Sequence, residues 1–218
     1  MRRAVDLLYP PRRLGVPLGV SGLLATLFLA ACGGGSPTST PTTYSSKAFV
    51  LPFDVAPPTW QPTAPSVDES NFVTWVSPDD TRAVRFMVPV NVYPPGGTGT
   101  TPPPRDYLAY LLAQKDHGAQ FADVVEAHVG DRPATIVTAT VGSGLSGSIG
   151  CPKAWMSADD CFGLQPEFVL RIAVIDFADK TLLIWLRLPQ SMSVNNRTTE
   201  INSFENLLTS IRFRNRAY

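Results

Sequence analysis

Arginines 85, 171 and 187 stand out first, because their spacing relative to turn residues suggests that they share a surface. Two apolar runs, Phe168 to Phe177 and Thr181 to Leu188, flank Ala178-Asp179-Lys180. Taking those three residues as the loop pairs Phe177 with Thr181. Counting outward then sets Arg171 opposite Arg187 and Ala173 opposite Trp185. Like charges directly opposite each other destabilise a sheet, so something should compensate them. Arg85 has the matching parity on its own strand and joins the group if the strands are neighbours. A face of two or three guanidinium groups with Trp185 suits a carboxylate, a phosphate or an acidic partner segment. The other reading is a solvated face on which Glu167, Asp176 or a loop acid pairs each arginine.

The remaining candidates are weaker. Gly142-Ser143-Gly144-Leu145-Ser146-Gly147 matches G-x-G-x-x-G, but no helix pattern follows and no parallel βαβ unit surrounds it, so it reads as a flexible loop. The two histidines, His117 and His128, have no G-x-S-x-G elbow and no evident acid partner to make a hydrolase triad. No spacing singles out two carboxylates for glycoside chemistry. Trp60, Trp75, Trp155 and Trp185 are scattered over several segments, which suits packing better than a sugar platform.

With 18 basic and 18 acidic residues in 218, the chain has no basic surplus to displace counterions from nucleic acid. At 44% hydrophobic it is neither a charged tail nor a multi-span membrane protein. The start has the layout of a processing segment. Arg2, Arg3, Arg12 and Arg13 precede an uncharged stretch from Val16 to Ala31, which is too short and too rich in Gly and Pro for the ~20 apolar residues of a spanning helix. It ends in Leu29-Ala30-Ala31-Cys32, which resembles the bacterial lipobox. That resemblance implies lipidation at Cys32, export, and anchoring at the outer face of the bacterial cell membrane. Removing residues 1–31 leaves 14 basic and 17 acidic residues, a mild −3. Residues 32–46, rich in Gly, Ser, Thr and Pro, form the expected tether, with a reach of ~20 Å. In an exported protein Cys151 and Cys161 are expected to form a disulfide. C-x9-C with no histidine nearby is not a zinc spacing, and Asp159-Asp160 reads as a solvated turn rather than a calcium site. No metal and no cofactor beyond the lipid on Cys32 is expected.

These residues must be positioned by one domain, residues 47–218. Phe49 to Val55 reads as a strand of edge type, because Pro52 cannot donate, and Phe72 to Val76 follows it. Val84, Phe86, Val88, Val90 and Val92 alternate with Arg85, Met87, Pro89 and Asn91, which predicts a strand with one core face. A helix is expected over 106–116, capped by Asp106 and ending near Gly118. Strands over 122–129 and 134–141 flank the turn Gly130-Asp131-Arg132-Pro133. Apolar spacing predicts a helix over Thr198 to Leu208, and Ser210 to Phe213 reads as a closing strand. Tight turns make the sheet antiparallel, and the helices bury their stripes against it: an α+β domain.

The segments "FVLPFDVAPPTW", "VGDRPATIVTATV" and "FENLLTSIRF" resemble the PsbP-like fold. A lumenal photosystem protein, a nuclear Ran-binding protein and a group of actinobacterial lipoproteins share it. The resemblance spans most of 47–213 and implies a non-catalytic binding or assembly protein. It transfers no site residue, and the insertion at 142–166 departs from it. The expected partners are the membrane, through the lipid, and an envelope protein or a small anionic or lipidic ligand. The rival expectation is a cell-envelope hydrolase, an esterase or glycosidase.

Overall fold

The computed structural model describes residues 42–214. Cys32, the signal segment before it and most of the tether lie outside the described residues. The architecture is α+β and antiparallel throughout. In chain order the elements are β1 (Tyr44–Ser45), β2 (Phe53–Val55), β3 (Val67–Asp68), β4 (Phe72–Val76), β5 (Ala83–Met87), α1 (Tyr107–Ala113), β6 (Ala119–Val129), β7 (Arg132–Val141), β8 (Phe168–Phe177), β9 (Lys180–Pro189), α2 (Val194–Ser210) and β10 (Arg212–Phe213). A seven-stranded sheet runs β3-β4-β5-β9-β8-β7-β6, and a small sheet runs β1-β2-β10.

Each central strand is a near-continuous apolar run because the large sheet is covered on both faces. On one face, α2 and the small sheet bury Phe53, Trp75, Phe86, Ile184, Leu186 and Phe204. On the other, α1 and the segment leading into the disulfide loop bury Met87, Tyr107, Leu111, Ile149, Ile172 and Trp185. Phe53 stacks on Phe86 at 4.5 Å, tying the small sheet to the large one.

Several expected boundaries move. The single core face expected for 84–92 is replaced by two: Val84, Phe86 and Val88 pack with α2, while Met87 is fully buried on the opposite face. The strand ends at Met87, just before Pro89. The tether stops short of residue 46, since Tyr44–Ser45 pairs with β2 and the Tyr44 hydroxyl donates to Asp68 at 2.5 Å. The strand expected over Phe49 to Val55 shrinks to β2, which is the middle strand of its sheet, not an edge; Pro52 lies just outside it. The first helix is capped by Asp106, whose Oδ1 accepts from Ala109 N at 2.8 Å, and it tightens into a 3-10 turn over Gln114–His117. Gly118, at φ 102°, stops it. The second helix begins earlier than expected, at a Ser193 cap.

Candidate functional site

The site begins with strand pairing. β5 and β9 set Arg85 opposite Trp185 and Ala83 opposite Arg187, and residues 185 and 187 are two apart, so all three larger side chains share one face of the sheet. The start of β8 adds Phe168 and Leu170, and the segment after Cys161 adds Phe162 and Gln165. Together they enclose a cavity of about 50 Å³.

A disulfide holds the Phe162 wall in place. Cys151 and Cys161 are bonded, with Cα atoms 4.6 Å apart, as the sequence led us to expect. Phe162 follows directly and exchanges backbone hydrogen bonds with Gly150, while its carbonyl also accepts from Ile149 N at 2.7 Å. Gly150 has φ 154°, a conformation that residues with a side chain rarely adopt, and a Cβ there would also crowd the Tyr107 hydroxyl and Pro89 Cβ at 3.1 and 3.2 Å, so glycine suits the close approach of this segment to the sheet. Phe162 then stacks on Phe72 at 4.8 Å and meets Trp185 edge-on at 5.3 Å.

The two arginines are held differently. Arg187 Nη2 donates to the carbonyl and to Oδ1 of Asp80, at 2.6 and 2.9 Å, and its guanidinium lies 4.5 Å from the Phe168 ring centroid. The Arg85 guanidinium lies 4.8 Å from Phe162 and 5.9 Å from Trp185. Among the described residues no carboxylate is in ion-pair contact with it. The Nε atoms of both arginines are buried without an acceptor. Burial, and then the neighbouring Arg187, pull the Arg85 pKa down to about 10, against a smaller opposing effect of Asp80. A partly desolvated guanidinium with aromatic walls and a free donor edge, beside a second one held by Asp80, can bind an anion.

Arg171 does not join them. The β8–β9 turn has two central residues, Ala178 and Asp179, so Phe177 pairs with Lys180. Arg171 therefore faces Leu186, Arg187 faces Leu170, and Trp185 faces Ile172 in place of Ala173. A one-residue slip moves a side chain to the other face, and Arg171 emerges on the α2 side. There Glu205 accepts from its Nη2 and Nε at 2.8 and 3.2 Å, and the Asp123 carbonyl and Thr138 Oγ1 accept from Nη1 at 2.9 and 3.1 Å. Asp123 sits in a β-bulge with φ 49°, which aims its carbonyl at the arginine. Arg171 clamps β8, β6 and α2 together.

The other candidates are dispersed. His117 is exposed in the 3-10 turn and His128 is exposed on β6 opposite Pro133; among the described residues neither bonds to a serine or a carboxylate. Residues 142–147 run between β7 and the bridge at Gly150 with no helix after them. Asp159 and Asp160 are exposed in a 3-10 turn, where Ser157 Oγ donates to Asp160 at 2.6 Å. Among the described residues no group of three potential ligands could hold a metal. Trp75 is buried and donates to the Thr63 carbonyl at 3.0 Å, Trp60 lies 5.5 Å from the Arg82 guanidinium, and Trp155 is 97% exposed at the tip of the disulfide loop. Sequence reasoning missed Phe162, Phe168, Gln165 and Asp80. Phe162 carried one usable signal, its place directly after a bridged cysteine.

No family model matches the chain, and no curated protein matches it. Among solved structures it is similar to cyanobacterial PsbP (CyanoP) from Synechocystis sp. PCC 6803, with TM-score 0.41 and 11% identity over 85% of this chain and 99% of that one. It is also similar to the Ran-binding protein Mog1p of Saccharomyces cerevisiae, with TM-score 0.40 and 7% identity over 80% and 96% of the two chains. A Bacteroides thetaiotaomicron protein aligns with TM-score 0.40 and 10% identity over 76% of this chain; the chain spans about half, 46%, of that protein's length. The α+β architecture itself rests on the strand pairing described above.

Proposed function

We propose that this chain is an exported, lipid-anchored binding module of the bacterial cell envelope, non-catalytic, which holds an anionic group of a partner in the pocket between Arg85 and Arg187. The observation that carries the reading is the Arg85 guanidinium: desolvated, stacked on aromatic rings, and free of a carboxylate. A partly buried charge with no carboxylate in contact is costly to keep, and functional sites are where such costs recur. The Leu29-Ala30-Ala31-Cys32 sequence supports the anchor. Two or three acyl chains on Cys32 give durable attachment, at ~0.8 kcal/mol for each buried methylene. The tether then keeps the pocket near the membrane surface.

The test is photo-crosslinking in cells from a reactive residue placed at Gln165, on the rim of the pocket, in the native protein and in an Arg85→Met version of equal abundance. A discrete adduct lost in the variant supports the module and identifies its partner. Identical adducts from both, or none from either, remove the pocket from the function.

A further inference from the structure

The two guanidinium groups of the pocket are not equivalent. Arg187 already holds a carboxylate, that of Asp80, whereas among the described residues none is in ion-pair contact with Arg85. Asp80 comes from the β4–β5 turn, where its neighbour Asp79 is tied down by Ser77 Oγ and Thr81 Oγ1 at 2.5 and 2.9 Å. Asp80 N donates to the Ser77 carbonyl at 2.8 Å, and the residue takes φ 54°. Its side chain is 80% exposed while that of Arg187 is 12% exposed, so the carboxylate stands at the mouth and the guanidinium inside. Among the described residues no acid lines the cavity itself, and Asp80 acts on it from outside, through its contact with Arg187. Two cations and one anion leave a single positive charge.

We propose that the pocket is a carboxylate site, taking a singly charged anion with an apolar flank in preference to a phosphate-type dianion, and that Asp80 sets this selectivity. The inference rests on the anion-pocket reading above. A monoanion on Arg85 brings the pocket to neutrality. A dianion overshoots it and is opposed in addition by the Asp80 carboxylate, whose field reaches Arg85 from the solvent side and is partly screened by water there. Stacking on Phe162 occupies the face of the Arg85 guanidinium and leaves its edge, whose paired N–H groups match the two oxygens of a carboxylate. The cavity accommodates a head group only. The rest of the ligand must lie outward along Phe162 and Phe168, which favours an apolar or aryl substituent next to the carboxylate. The Asp80–Arg187 contact is an internal copy of the same chemistry.

The experiment follows the arginine Nε–Hε signals by NMR in the full chain, held in neutral detergent, with Arg85→Met assigning the Arg85 resonance. Phenylacetate and phenyl phosphate are titrated at about pH 8, above the phosphate monoester's second pKa of about 6. The native protein is expected to bind phenylacetate about tenfold more tightly, and Asp80→Asn is expected to erase or invert that preference. Asp80→Ser, a second exposed-turn variant, should do the same if Asp80→Asn folds poorly. Equal or tighter phosphate binding in the native protein, or a ratio unchanged in both variants, overturns the role of Asp80 while leaving the anion pocket standing. If neither probe moves the Arg85 signal in any version, the anion-pocket reading itself falls, and this inference with it.

Discussion

Arg85 lies directly across the β5–β9 pairing from Trp185, and its guanidinium is held between that indole and the Phe162 ring, at 5.9 and 4.8 Å. Cation–π contacts of this kind contribute about 0.5–2 kcal/mol. They do not fully replace lost hydration, as the lowered pKa of Arg85 shows. Arg85→Met keeps the stem's packing and removes the charge, so the variant should be about 1–2 kcal/mol more stable than the native chain. On the proposed reading an aryl carboxylate should raise the melting temperature of the native protein, and the variant should lose that shift. Isothermal denaturation and melting with and without phenylacetate measure the two effects; a destabilised variant that still binds would contradict both.

Arg171 should behave in the opposite way. Its guanidinium joins Glu205 of α2 to the Asp123 carbonyl and Thr138, and its side chain is 7% exposed. Arg171→Met leaves those acceptors without a donor and should destabilise by about 2 kcal/mol. Anion binding should be unchanged, because the side chain is on the far face. Denaturant titration and phenylacetate binding on the same sample separate the two arginines.

The disulfide couples stability to the site. Replacing Cys151 and Cys161 together by serine should lower stability by up to about 3 kcal/mol through the freed loop. Because Phe162 is the next residue and forms a wall of the pocket, affinity for the aryl carboxylate should fall several-fold as well. Equal binding by native and double-serine proteins would show that the backbone hydrogen bonds between Gly150 and Phe162 suffice to hold the wall.

Alkaline pH offers a further check. Tyr110 donates to the Ser148 carbonyl at 2.6 Å, and burial raises its pKa to about 12; burial also raises Tyr107, which donates to the Ile149 carbonyl. Their folded pKa values lie above the unfolded value near 10, so their neutral forms contribute fully below about pH 10 and that contribution is lost as pH rises toward 12. Tyr110→Phe should therefore flatten the alkaline fall. Stability measured at steps between pH 9 and 12 tests the sign.

The anchor has its own test. Cys32→Ala should leave an unprocessed precursor or a soluble protein, read by fractionation and detergent partitioning. A variant that still partitions wholly into detergent would remove the lipobox from the account.

Much of the local structure was legible in the sequence because it depends on local periods. The existence of the β8–β9 and β6–β7 hairpins, the Asp106 cap and the apolar stripe of the last helix follow from alternation, capping chemistry and turn residues within a few positions of one another, although the turn expected over 130–133 tightens to Gly130-Asp131, with Arg132 and Pro133 already paired with Val129 and His128. The pairing of Cys151 with Cys161 was legible too, since it needed only their spacing and the expectation of an oxidising location.

Register and face were not. Whether the β8–β9 turn holds two residues or three depends on how β8 meets β7 and β9 meets β5, and that one residue puts Arg171 with Glu205 or with Arg187. Hydrophobic alternation could not settle the matter, because both faces of the central strands are buried and either register keeps apolar residues inside. The aromatic wall depends on contacts still further apart: Phe162 reaches Arg85 only because the bridged segment lies against the sheet at Gly150. The sequence alone therefore determined the longer elements and the presence of arginines near Trp185, while the short strands β1 and β3 carried no local signal. Tertiary packing decided which two of those arginines meet, and it left Arg85 facing aromatic rings instead of an acid.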